Sequence, residues 1–209
     1  MPCKLNRRNL TTAFRDPMQR LDSKTSHLPE NVPAMENTSD YPSRMWEFML
    51  KVYAQPGIAP ACLRLQDVCG VDIPMFLAVL YAAASSVDVD VDRIRQLEQS
   101  CAGWRGTVVR PLRSIRIDMK SDPWVALDAR ASGLRENIKC LELAAERIEV
   151  DFLEEELAKL PPTKTPSTSA DTRTVARLFL ECLSVTAPSQ VSVDAMLIAD
   201  AVSESIVAQ

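Results

Sequence analysis

Arg110, Arg113, Arg116 and Lys120 follow one another at steps of three, three and four, the spacing that lines side chains along one side of a helix. Arg105 lies a turn or so earlier, and between residues 105 and 120 these five cations meet one acid, Asp118. Guanidinium forks grip phosphate or carboxylate through two parallel hydrogen bonds, so the stripe is a candidate site for a small anionic ligand. Three other readings stand beside it: a solvated face, pairing with an acidic helix of the same chain, or contact with nucleic acid. Trp104 is the one aromatic next to the stripe, which is thin for base stacking. An acidic counterpart exists at residues 142–156, where Glu142, Glu146, Glu149, Asp151, Glu154, Glu155 and Glu156 oppose only Arg147. Glu142, Glu146 and Glu149 share a helix face at steps of four and three. Inward carboxylates build di-metal sites in bundles, but such sites usually add histidines from other helices.

Asp67 and Asp72 form a third group. Two carboxylates can serve as acid and base. Asp72 also has a sufficient structural role as a helix N-cap, and Asp67 can end a helix turn in solvent. Asp88, Asp90 and Asp92 resemble the start of a calcium loop, without its glycine and with Gln99 where the closing glutamate belongs. The six cysteines form no C-x-x-C pair, and the single histidine, His27, sits in a proline-broken segment. Zinc, Ser-His and Cys-His chemistry therefore have little support. Phosphate-binding glycine loops and the G-x-S-x-G elbow are missing from the sequence. The expectation is no cofactor, no metal, and a protein that leans away from being an enzyme.

The elements that must position these residues follow from composition and period. The chain has 209 residues, 46% hydrophobic and 25% charged, with 5 glycines and 5% aromatics. That is enough apolar material for a core and too little turn and β-forming material for an all-β sandwich. The net charge is -4, which gives no general case for nucleic acid. No uninterrupted apolar run is long enough to predict a membrane span, and no secretory signal is recognisable.

Residues 1–42 hold Pro29, Pro33 and Pro42, a local basic excess and no sustained period, and are read as a disordered arm. Ser43 is the expected N-cap of a first helix carrying Trp46, Met49, Leu50 and Tyr53. A second helix covers 59–69, with Gly70 as its stop, and a third follows Asp72. Residues 75–84 are apolar all round and should be the buried centre. Further helices are expected at 90–101, at 104–120 with Pro111 kinking it or marking its start, and at 124–159. The last carries Leu134, Ile138, Leu141, Ala145, Ile148 and Phe152 as a heptad seam, with Gly133 a candidate break. The seam has two uses, packing inside the monomer or pairing with a second copy. Pro161 and Pro162 end the helix, 161–170 reads as a linker, and two short helices at 172–184 and 192–206 make a C-terminal extension, 171–209.

The stretch Trp46-Glu47-Phe48, Tyr53-Ala54, Pro56-Gly57, Ala61-Cys62-Leu63, Leu65-Gln66-Asp67 and Gly70-Val71-Asp72-Ile73 resembles a proteobacterial family of small helical proteins of unknown function. Trp104-Arg105, Val109, Pro111-Leu112-Arg113 and the run from Glu142 to Glu149 fit the same pattern. The resemblance covers roughly 43–157. It implies a bacterial, cytoplasmic, all-helical protein and carries no reaction.

The expected fold is all-α, a compact bundle of five to six helices over 43–160 with one long helix, its ionic groups on the outside. The leading functional expectation is a non-catalytic cytoplasmic interaction or regulatory protein, with a protein partner or a second copy. A binder of, or enzyme acting on, a phosphorylated or carboxylated ligand through Arg105, Arg110, Arg113, Arg116 and Lys120, with Asp67 or Asp72 as acid or base, is the alternative. A nucleic-acid-associated factor is the third.

Overall fold

Ser43 begins the first helix as its side chain dictates. Its hydroxyl accepts the Trp46 N–H at 3.1 Å and donates to Glu154 Oε2 at 2.6 Å, so one residue caps a helix and ties it to another 111 positions away. The computed structural model describes residues 43–162, 169–183 and 189–207. The N-terminal arm and residues 163–168 of the linker lie outside the described residues.

Helix α1 spans Arg44–Tyr53 and α2 Ile58–Cys69. Between them Gly57 adopts φ 84°, and Gly70 closes α2 at φ 66°, both in the left-handed region that favours glycine. Asp72 caps α3, Ile73–Ala84, by accepting the Met75 N–H at 2.8 Å. Every residue from Ile73 to Leu80 is buried. Helix α3 is thus the hydrophobic centre, with α1, α2, α7, α8 and α9 around it.

Helix α4, Val91–Trp104, does not stop where two separate helices were expected. It runs through a π-helical turn at Arg105–Val109 straight into α5, Arg110–Ser121. The physical cause is Pro111, which has no N–H to donate and whose ring crowds the carbonyl a turn earlier; the wider π turn absorbs the mismatch. That turn also holds Ile94, Leu97, Cys101, Arg105 and Val109 on one buried face, although the last steps are all four residues long. The long helix also differs from expectation. It breaks at Asp128 into α6, Pro123–Leu127, and α7, Ala129–Leu157, and Gly133 lies inside α7 without ending it. Asp128 forces the break by capping α7, accepting the Arg130 N–H at 2.8 Å.

Helices α8, Ser169–Cys182, and α9, Ser189–Val207, enter the same core as α3. Phe179 packs on Phe76 with ring centroids 5.1 Å apart, and Ile198, Ala199 and Val202 are fully buried. Arg64 of α2 grips Asp194 of α9 through two hydrogen bonds of 2.8 Å. Every regular element among the described residues is helical, and the one β-type pairing is an isolated bridge between Val87 and Pro162. No helix there is long and apolar enough to cross a membrane.

Candidate functional site

The expectation that ionic groups stay outside fails at Arg105. The π turn directs its guanidinium inward, where it is 3% exposed. Nε lies 2.8 Å from Asp72 Oδ2, Nη1 donates to both Glu98 oxygens at 2.8 Å, and Nη2 donates to Glu149 Oε1 at 3.0 Å. Three carboxylates from α4, α7 and the α3 cap thus meet one cation. Burial alone would lower the Arg105 pKa, but the surrounding acids outweigh it and keep the guanidinium charged.

The cluster carries more acid than base, and burial acts on the surplus. Desolvation, assisted by Asp72 and opposed by Arg105, pushes Glu149 up to about 7. Its Oε2 is buried with no hydrogen-bond partner among the described residues. Asp72 is raised by desolvation too, against the pull of Arg105 and the Met75 N–H. Between the ordinary 4.5 and about 7, the folded chain holds a Glu149 proton that the unfolded chain has released. Stability therefore falls as pH rises through that window and levels above it. Glu149→Gln keeps an acceptor for Arg105 and removes the titration. It should shrink the stability difference between about pH 4.5 and about pH 8 by roughly 3 kcal/mol, read from urea unfolding at a series of pH values. An unchanged pH slope would remove Glu149 as its source.

The Arg stripe does lie against the acidic helix. Arg113 Nε donates to Glu142 Oε1 at 2.8 Å and its Nη2 to Glu146, while Arg116 Nε donates to Glu142 and its Nη2 does so at 3.0 Å. Burial favours the neutral form of Glu142, yet two guanidiniums hold its pKa below the usual value. Glu146 has one such partner, and its burial, with Glu142 beside it, raises it. Arg110 and Lys120 are exposed and stand apart from this lattice. Asp67 is exposed on α2, and Asp72 is buried against Arg105, so the two acids do not meet.

The same ionic lattice forms one wall of a cleft of about 350 Å³. The opposite walls are apolar: Trp46, Leu50 and Tyr53 of α1, Leu63 of α2, Leu77 of α3, and Leu143 of α7 at the edge of the lattice. Leu50, Leu63 and Leu143 are 52%, 48% and 43% exposed, so the cleft has apolar lips. Lys139 joins the lining, and its ion pair is a long 3.9 Å contact with Glu136 in solvent. Tyr53 faces Glu146, Arg113 and Arg116, and burial foremost raises its hydroxyl pKa.

Sequence reasoning grouped Arg113 with Glu142 and Glu146 but missed both the cleft and the Arg105 cluster. A usable signal for the cluster was the phase of Arg105, four residues from Cys101 and from Val109. Cys62, Cys69, Cys101, Cys140 and Cys182 are free thiols; Cys62 and Cys101 are buried and Cys140 is exposed. Among the described residues, no group of three or more His, Cys, Asp or Glu is arranged to hold a metal ion.

Fold and site together define an all-helical domain wrapped on an apolar central helix, with an ionic cluster inside and an apolar cleft beside a charged wall. The chain belongs to a family described as protein of unknown function (DUF2390), whose model matches residues 44–153. That span holds the cleft and the Arg105 cluster and stops short of α8 and α9. No curated protein and no solved structure matches the chain.

Proposed function

We propose that this protein is a non-catalytic interaction protein of the cytoplasm that seats an amphipathic helix of a protein partner in the cleft between α1, α2, α3 and α7. One observation carries the reading: the apolar lips formed by Leu50, Leu63 and Leu143 stand open to solvent beside a wall whose guanidiniums already have partners. With Arg113 and Arg116 held by Glu142 and Glu146, contact with a partner must draw mainly on apolar burial, roughly 25 cal/mol per Å². Helix-in-groove recognition works this way, with side chains one turn apart as anchors. Lys139 at the rim favours an acidic residue beside those anchors. Free thiols at five described cysteines suit a reducing compartment.

A displayed library of amphipathic helical peptides tests the reading. Peptides with an acid next to apolar anchors should be selected. Leu63→Glu with Leu143→Glu, both at exposed positions, should weaken them roughly tenfold or more while leaving thermal unfolding in place. Selected peptides that bind this double variant as well as the wild type would refute the cleft as the site. Stabilisation by phosphorylated or carboxylated metabolites that is lost in Arg113→Glu would favour the small-anion reading instead.

A further inference from the structure

Part of the heptad seam of α7 faces away from the core: Ala145 is buried, whereas Leu134, Leu141 and Ile148 are open. The helix packs inward through Glu142, Ala145, Glu149, Val150, Leu153 and Leu157. Leu134, Leu141 and Ile148, seven residues apart, are 54%, 49% and 48% exposed. The sequence therefore places a seven-residue row suited to coiled-coil packing on a side of α7 that the monomer leaves open, apart from the Leu143 side that lines the cleft. The row extends for about 21 Å at 1.5 Å per residue.

Charge along this helix is polarised. Residues 129–140 hold Arg130, Arg135 and Lys139 against Glu136, whereas 146–157 hold six acids against Arg147. Some of these acids are engaged internally, Glu149 by Arg105 and Glu154 by Ser43. Near the seam, Arg130 at one end has a 92% exposed side chain that pairs locally with Asp128 in solvent, and Glu155 at the other end is exposed. A parallel pair of such helices would set Arg130 against Arg130 and Glu155 against Glu155. An antiparallel pair, with Leu141 on the two-fold axis, sets Leu134 against Ile148 and brings Arg130 to the stretch 151–155 of the second copy. The helix is complementary to itself in that one orientation, the condition for an isologous contact.

We propose that a second copy of this chain docks antiparallel along the Leu134–Leu141–Ile148 row, burying the seam and pairing Arg130 of each copy with the acidic end of the other. The surface lies on α7 away from Leu143 and the cleft, so dimerisation and partner binding are separate properties of the same domain.

Sedimentation equilibrium on the full chain over a concentration series tests the proposal. The wild type should dimerise, and Leu141→Glu, at an exposed position, should weaken the dimer tenfold or more with helical content and unfolding midpoint of the monomer retained. Arg130→Glu and Glu155→Arg should each weaken it, and the two combined should restore it. A wild type that stays monomeric throughout, or a dimer indifferent to Leu141→Glu, overturns the proposal. Failure of the charge-swapped pair to recover overturns the antiparallel register. Cleft variants at Leu63 and Leu143 should leave the dimer intact, so its failure is distinguishable from that of the cleft reading.

Discussion

Replacing Arg105 with methionine should cost about 3–5 kcal/mol of stability near neutral pH, a large fraction of the 5–15 kcal/mol that holds a typical domain together. The apolar replacement fills much of the space, so cavity formation is a minor part of the loss. The main part is electrostatic: Asp72, Glu98 and Glu149 lose the one cation within 3.0 Å of all three. Two consequences identify that origin. The loss should shrink at acid pH, because protons then neutralise the abandoned carboxylates. Glu149→Gln should also recover at least 1 kcal/mol in the Arg105→Met background beyond its effect in the wild type, since the two residues share one network. Urea unfolding of the four proteins at two pH values gives both numbers. A pH-independent loss with no coupling would mean that Arg105 acts only by filling space.

The second large effect is expected from truncation after Pro162, which keeps the whole family-matched span and removes α8 and α9. These helices bury Val175, Phe179, Leu180, Val191, Ile198 and Val202. At about 1.5–3 kcal/mol per large apolar side chain, their removal costs on the order of 10 kcal/mol before the exposed partners on α2 and α3 are considered. That is comparable to the stability of a whole typical domain, about 5–15 kcal/mol. The truncated chain should lack a cooperative thermal transition and show collapsed amide dispersion by NMR. A sharp transition close to that of the full chain would mean that residues 43–162 fold alone and α8 and α9 are an accessory.

Local rules sufficed where one residue's chemistry fixes one local outcome. Ser43 and Asp72 cap their helices, Gly70 ends α2, and the all-apolar run after Pro74 is buried as α3, because caps, left-handed glycines and unbroken apolarity act within a turn or two of chain. The facing of Arg113 to Glu142 and Glu146 was also open to sequence, since charge segregates visibly between residues 105–120 and 142–156. Elsewhere periodicity named a face without saying what it meets. The heptad spacing left two uses open, packing inside the monomer or pairing with a second copy; in the fold Ala145 of the seam is buried, Leu134, Leu141 and Ile148 are open, and the inward side of α7 also bears Glu142 and Glu149. Arg105, brought inward through the π turn made by Pro111, makes the buried Glu149 tolerable, and Arg113 and Arg116 do the same for Glu142. The same holds for the cleft and for α8 and α9: each arises where helices far apart in sequence come together, and an amphipathic pattern carries no address for its partner. The chain by itself determined which segments are helical and where most of them begin and stop; tertiary packing decided which charges are buried and which apolar surfaces remain open, because burial depends on neighbours that no local spacing encodes.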